Sequence, residues 1–458
     1  MLELKAALRQ QWLRSTWFRV GLALGVLYVL LRGLIAFAWV GGYLDIPDWP
    51  PDNDLQTYLR AGESFWDHED LYYEPQDNFR VYVYSPAFAL LSGVLTLVPY
   101  QLAAAVMILL HLLGYGLLYW RWFMIFQRLH MKAASEQMIR FLPLWLVFTP
   151  FLFDVTYLNV YIFMALLGTL LLEAVLKEQL GFAVLWLTVL LPIKPHWAFA
   201  LAVPLVLGRW RFFAKLTVAG ALTYLATMGI TLLVGGNYAW EQYRAYIQTL
   251  QAIPETFPWN TLTQHGHIGY NHSVMQMVAF YLNDGSAMLW TSMLIKALLL
   301  FPLMIIVWKH LRQPLNKPGQ EVPQISLEIA FAFYFAAFLL VDVISEVMLG
   351  ALVFIYLQSV LKSRPARLLI SAAFWPYALM DLWATVAGGT LFVIELPDVV
   401  LYPDLFVPVM LILMLAFYAV LIGRLWGTAA WKQAQPYEVH DSRGFEQRLP
   451  DAGHTQAR

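Results

Sequence analysis

The chain has 458 residues, of which 60% are hydrophobic and 13% charged. Soluble domains carry roughly 25% charged residues, and with a mean hydropathy of +0.59 this composition excludes a soluble enzyme, a disordered chain and a fibrous one. A formal net charge of −1 provides no global basic field for nucleic acid, and zero cysteines exclude disulfides, thiolate metal sites and thiol nucleophiles. Aromatic residues make up 16%, including 19 Trp, which suits interfacial belts and a carbohydrate- or lipid-facing cavity.

In chain order, the first element is the apolar run 20–40, interrupted only by Arg32. A helix of that length spans roughly 30 Å, the hydrocarbon thickness, and it is too long for a cleavable signal peptide. Further apolar candidates lie near 85–98, 101–125, 141–153, 156–172, 182–192, 196–207, 213–234, 286–308, 326–341, 343–361, 368–390 and 402–422. The chain therefore reads as an all-α polytopic integral membrane protein. Lys5, Arg9, Arg14 and Arg19 place the N-terminus (1–19) in the cytoplasm. Arg209, Arg211 and Lys215, then Lys309, Arg312 and Lys317, then Lys362, Arg364 and Arg367 mark inner loops. Arg424 and Lys432 put the polar tail 424–458 inside, with 433–458 expected to be disordered. Two inner termini require an even number of crossings, about twelve over 20–423. The basic segment of Arg121, Arg128, Lys132 and Arg140 also reads as inner. That conflicts with counting both 85–98 and 101–125 as crossings.

Two loops fall outside. Loop 41–84 holds ten acids against Arg60 and Arg80. Loop 236–272 is aromatic and carries His265, His267 and His272. In the first, Asp54 stands ahead of a short helix expected to begin at Leu55. It is either an N-cap, as Asp before a helix usually is, or a base that takes a proton from a substrate hydroxyl. Asp52 and Asp54 also form an Asp-x-Asp pair of the kind metal–nucleotide sites use. Tyr82 and Tyr84 precede Pro86, a first-turn proline, and serve either as interfacial anchors or as site residues. Lys194-Pro195 breaks an apolar run. A lysine there costs roughly 2.5–3.5 kcal/mol on insertion scales, so it faces a partner such as Asp154 or Asp342, or holds an anion in a wet cavity. The three histidines lack a carboxylate at a familiar metal spacing, so phosphate or sugar hydroxyls suit them better than a metal. Arg32, Asp154, Asp342, Glu346 and Asp381 are intramembrane charges that should face the interior, more as structural pairs than as catalysts. A transporter or flippase of a lipid or sugar would use intramembrane charges and broken helices too, although no internal repeat is present.

Together these pieces resemble glycosyltransferase family 87, polytopic GT-C enzymes that are polyprenyl-phosphate-mannose-dependent α-mannosyltransferases. The resemblance rests on Asp54 and Tyr58, on Tyr84 and Pro86, on Asn159, on Lys194 and Pro195, and on Asn271 and Ser273. Thr156 and Tyr157 stand where the family has Gly-Gln, and 341–349 lacks the family's late Trp and His. The resemblance implies a GT-C-like bundle in the plasma (inner) membrane, with its active site on the extracytoplasmic face. It implies a hexose, mannose in the family, moved with inversion from a polyprenyl phosphate to a lipid or glycan acceptor, without a cofactor or an essential metal. Asp54 is then the expected base. Lys194, His265, His267 and His272 are the expected phosphate ligands, and Tyr58, Tyr84, Asn159 and Asn271 contact substrate. The partners expected are the lipid-linked donor, the acceptor and membrane lipids, with no nucleic acid.

Overall fold

A computed structural model of the chain describes residues 2–43, 53–72, 82–256, 273–282, 285–312, 323–341, 347–387 and 401–427. Helix α1 (Leu2–Arg14) leads into α2 (Thr16–Val40), which is followed by α3 (Asp54–Asp67) and α4 (Pro86–Ser92). A 3₁₀ turn, Gly93–Leu97, joins α4 to α5 (Tyr100–Arg128). Next come α6 (Lys132–Arg140), α7 (Leu142–Leu146), α8 (Thr149–Tyr157), α9 (Tyr161–Leu176) and α10 (Leu180–Ile193). A 3₁₀ segment, Pro195–Ala202, precedes α11 (Val203–Val206) and α12 (Trp210–Thr256). The later helices are α13 (Val274–Leu282), α14 (Gly285–Arg312), α15 (Pro323–Leu340), α16 (Gly350–Val360), α17 (Arg364–Ala378), α18 (Met380–Ala387) and α19 (Leu401–Gly427). The described residues contain no strand.

Among the described residues, five helices are long and apolar enough to cross a membrane: α2, α5, α12, α14 and α19. A sixth span is possible if Lys132–Arg140 and Leu142–Tyr157, bent by 61°, act as one. Other apolar segments form helices of 10–17 residues; one of them, α10, stops at Ile193 because Pro195 bars the residue before it from helical geometry. Large apolar side chains face outward on the long helices, with Leu233 87% exposed. In water that surface would aggregate; in lipid it is the expected solvent face. The buried interior is aromatic, built around Trp39, Trp122, Trp145 and Trp197.

Three sequence expectations change. The 85–98 candidate is α4 plus one 3₁₀ turn, roughly 20 Å long at 1.5 and 2.0 Å per residue. It is too short to cross and packs against α3. Only α5 then needs to cross between 84 and 128, which removes the conflict over the basic segment 121–140. The second outer loop does not begin as a loop: α12 kinks at Gly236 (φ 57°, ψ −137°) and runs on as helix to Thr256. Only glycine adopts that backbone conformation readily, so Gly236 lets one helix become two. Helix α3 begins one residue earlier than expected, at Asp54.

Two polar clusters brace the bundle. Arg32 of α2 forms a two-pronged pair with Asp381 of α18 (Nη2–Oδ1 2.6 Å, Nε–Oδ2 3.2 Å), to which Tyr28 also donates. Both charges face the interior, as expected of intramembrane charges, and the structure supplies each with the other as partner. At the far end of α5, Arg121 and Arg128 both bind Glu173 of α9, which Lys177 also meets at 2.6 Å. Arg209 joins the same end, pairing with Glu178 at 3.0 Å and donating to the carbonyl of Leu176.

Candidate active site

Four chain breaks place the site residues. Asn53 is the N-cap of α3: its side chain accepts from the Gln56 N–H, and its amide donates to the Tyr100 hydroxyl at 2.7 Å. The cap is therefore Asn53 rather than Asp54, and the start of α3 is tied to the start of α5. Asp54 becomes the first helical residue, released from capping and aimed at the bundle. About two turns further along α3, Gly62 meets Gly93. A Cβ on Gly62 would lie 2.6 Å from the Gly93 backbone nitrogen, so α3 lies directly on the turn after α4.

Ser85 caps α4, and its hydroxyl donates to the carbonyl of Pro192 at 2.5 Å. That contact sets Tyr84 beside the end of α10. There Pro195 forces the preceding residue out of helical geometry, and Lys194 adopts φ −140°, ψ 87°. The lysine ammonium lies 3.7 Å from the ring centroid of Tyr161 and 5.1 Å from that of Tyr84, a cation–π pocket. Finally, α8 ends in left-handed Leu158 (φ 52°), and the next residue, Asn159, projects toward α3.

These groups converge. Asn159 Nδ2 donates to Asp54 Oδ2 at 2.8 Å. Asn159 Oδ1 accepts from the Tyr58 hydroxyl (3.1 Å) and from the Val160 N–H (2.6 Å). With two donors facing that oxygen, only one orientation of the amide satisfies both ends. Tyr84 lies 3.1 Å from the Tyr58 hydroxyl. Since Tyr58 donates to Asn159, Tyr84 donates to Tyr58. Tyr58 and Tyr84 are buried, whereas Asp54, Asn159 and Lys194 keep partial exposure. Oδ1 of Asp54 makes no hydrogen bond to a described residue.

Burial pushes the Asp54 carboxyl up to about 6; Lys194 opposes the rise, the Asp154 carboxylate adds to it, and the Asn159 hydrogen bond opposes it. A carboxylate tuned there is ionised at neutral pH yet more basic than an exposed one, which suits proton abstraction.

Five residues singled out in the sequence, Asp54, Tyr58, Tyr84, Asn159 and Lys194, thus come together from four separate segments. Asn271, His265, His267 and His272 lie outside the described residues, as do Asp52, Asp342 and Glu346. Among the described residues no group of three or more His, Asp or Glu gathers as a metal site. The sequence reading missed His111, a fully buried histidine in α5 that binds the carbonyl of Asn159. Its one sequence signal was a polar ring within an apolar span, and such residues tend to face functional interiors.

No curated protein and no solved structure matches the chain. The family model described as glycosyltransferase family 87 matches residues 82–320, slightly more than half of the chain. The matched region holds Tyr84, Asn159 and Lys194, and the fold brings Asp54 and Tyr58 to it from outside. With that match over more than half its length, and with long apolar helices among its described residues, the chain belongs to glycosyltransferase family 87.

Proposed function

We propose that this glycosyltransferase moves a hexose, mannose in the first instance, from a polyprenyl phosphate to a lipid or glycan acceptor, with inversion at the anomeric carbon. The observation that carries the reading is the convergence of Asp54, held by Asn159, which Tyr58 holds in turn, with the Lys194 ammonium. In the reaction, the acceptor hydroxyl gives its proton to Oδ1 of Asp54 while its oxygen bonds to the anomeric carbon. The bond from that carbon to the phosphate oxygen breaks, and the electron pair leaves with the lipid phosphate. One base on the face opposite the leaving group is the inverting arrangement, as in inverting glycoside hydrolysis. Phosphate is a good leaving group and needs cations rather than a strong acid. Lys194 supplies one, with His265, His267 and His272 proposed beside it and Asn271 proposed against the sugar. Protein cations then serve without a cofactor or metal, so transfer should persist in EDTA.

The charge layout supports an extracytoplasmic site in the plasma membrane with both termini in the cytoplasm. Helix α5 is roughly 43 Å long at 1.5 Å per residue. Its first residue, Tyr100, touches the site through Asn53, while Arg121 and Arg128, near its other end, join the basic cluster with Lys177 and Arg209. Basic residues mark cytoplasmic ends, so the site lies toward the opposite face, where nucleotide sugars are absent and a lipid-linked donor is the sensible one. Asp54, Tyr58, Tyr84, Asn159 and Lys194 gather in one cluster, which favours a reaction site over a transport path.

The test is incubation of purified protein with radiolabelled polyprenyl-phosphate hexoses and, separately, nucleotide hexoses, each with a membrane lipid extract. Labelled product from the polyprenyl donor alone supports the reading; product from the nucleotide sugar alone refutes it.

A further inference from the structure

His111 and Asp154 are buried to 0% exposure, and neither hydrogen-bonds to Asp54. Their contacts nonetheless end on the segment that presents Asn159. Asp154, in the last turn of α8, accepts from two backbone N–H groups at the start of α9, Tyr161 at 3.2 Å and Ile162 at 2.7 Å. It therefore holds the two helices on either side of Asn159 at a fixed separation. His111 Nε2 lies 2.6 Å from the Asn159 carbonyl oxygen and 3.4 Å from Asp154 Oδ2, while Nδ1 lies 2.7 Å from the Met107 carbonyl oxygen. Both ring nitrogens thus face acceptors. A neutral imidazole has one donor and one acceptor nitrogen, and would press a lone pair against a carbonyl oxygen. Only the imidazolium satisfies both contacts, and the Asp154 carboxylate is its counter-ion.

We infer that His111 and Asp154 form a charged positioning pair that fixes the backbone of Asn159, and through its amide the carboxylate of Asp54. The inference rests on the reading of Asp54 as the catalytic base. The pair's work is geometric: the backbone at Asn159 is clamped from both sides, so Nδ2 meets Asp54 Oδ2 and leaves Oδ1 for the acceptor. Displacing a reacting group by about 1 Å can cost 10²-fold in rate, which is why a buried clamp one residue removed has kinetic consequences.

The ionisable groups facing Asp54 are Lys194 from the end of α10, Asp154 from α8, and the phenols of Tyr58 and Tyr84; His111 faces Asp154. Losing His111 loosens the Asn159 hydrogen bond, which favours ionised Asp54, so ionisation of Asp54 is disfavoured.

The experiment is a double-mutant cycle on purified full-length chain in nanodiscs, normalised to folded protein. It uses His111→Gln, Asn159→Ala and the double variant, with Asp54→Asn as reference. His111→Gln is expected to lower kcat by about 10–100-fold with KM little changed, and to move the acid limb of the kcat/KM profile to higher pH. The double variant is expected to be no worse than Asn159→Ala alone, because both act through one amide. Additive losses, or an unmoved acid limb in His111→Gln, would overturn the inference. If His111→Gln does not accumulate, Asp154→Asn replaces it in the cycle with the same non-additivity expected and additivity again overturning. Full activity in Asp54→Asn sinks the base assignment itself; an inactive Asp54→Asn beside a wild-type His111→Gln sinks only the positioning pair.

Discussion

Asp54→Asn removes an ionised group from a place where ionisation is unfavourable. In the unfolded chain the carboxyl titrates at 3.8, and in the fold at about 6. The gap of ~2 pH units, at 1.36 kcal/mol each, means that holding Asp54 ionised costs the native state up to ~3 kcal/mol. The sign is fixed by linkage. Below pH 3.8 the carboxyl is protonated in both states and the cost vanishes. Between 3.8 and about 6 the unfolded chain ionises first and the cost grows. Above about 6 it is complete. Asparagine escapes the cost, and its side-chain carbonyl still accepts from Asn159. Thermal unfolding of detergent-solubilised wild type and variant, at about pH 8 and about pH 4, should therefore show the variant melting several degrees higher at the alkaline value and level with wild type at the acid one. A variant that melts at or below wild type near pH 8 would refute the claim that the site holds its carboxylate against a desolvation cost. The same variant should be nearly inactive, a trade of stability for function common at active sites.

Wild-type kcat/KM should rise with pH through about 6, as Asp54 ionises, and a profile flat from pH 5 to 8 would remove it as the titrating base. Tyr58→Phe deletes the hydroxyl that holds the Asn159 amide, and should cost ~1 kcal/mol in transition-state stabilisation, seen as a several-fold loss of kcat. Arg32→Met strands Asp381 in a buried setting and should destabilise by ~3–5 kcal/mol. Adding Asp381→Leu should recover much of the loss, and a detergent melt of both variants checks this. Gly62→Ala places a methyl group 2.6 Å from the backbone of Gly93. Prising α3 off its seat should cost ~1–3 kcal/mol and lower kcat, with no change in membrane insertion by fractionation.

Much of the site was legible because each residue carries its own local signal. Lys194 stands in an apolar run and before a proline, Tyr84 stands before a capped helix start, and Asp54 stands where the chain leaves the apolar run 20–40. Order along the chain then suggested the family. What the sequence did not disclose was set by tertiary contact. Asn53 and Asp54 are both good capping residues, and the bond from Asn53 to Tyr100, across 47 positions, accompanies capping by the first and leaves the second to face Asn159. Apolar periodicity cannot separate a spanning helix from a buried half-length one, so 85–98 read as a crossing. Gly236 reads as a helix end, since nothing local announces that helix resumes beyond it. His111 looks like one polar residue in a lipid-facing stretch until Asn159 and Asp154 are seen beside it.

The most direct measurement of the central claim is single-turnover transfer of labelled mannose from polyprenyl-phosphate mannose by equal amounts of folded wild type and Asp54→Asn at about pH 7.5, with donor binding followed in parallel. A wild-type product whose anomeric configuration is opposite to the donor's, together with a loss of about 10²–10⁴ in rate for the variant at unchanged donor affinity, is the result predicted. Transfer by Asp54→Asn at the wild-type rate, or retention of the donor's configuration, would contradict it.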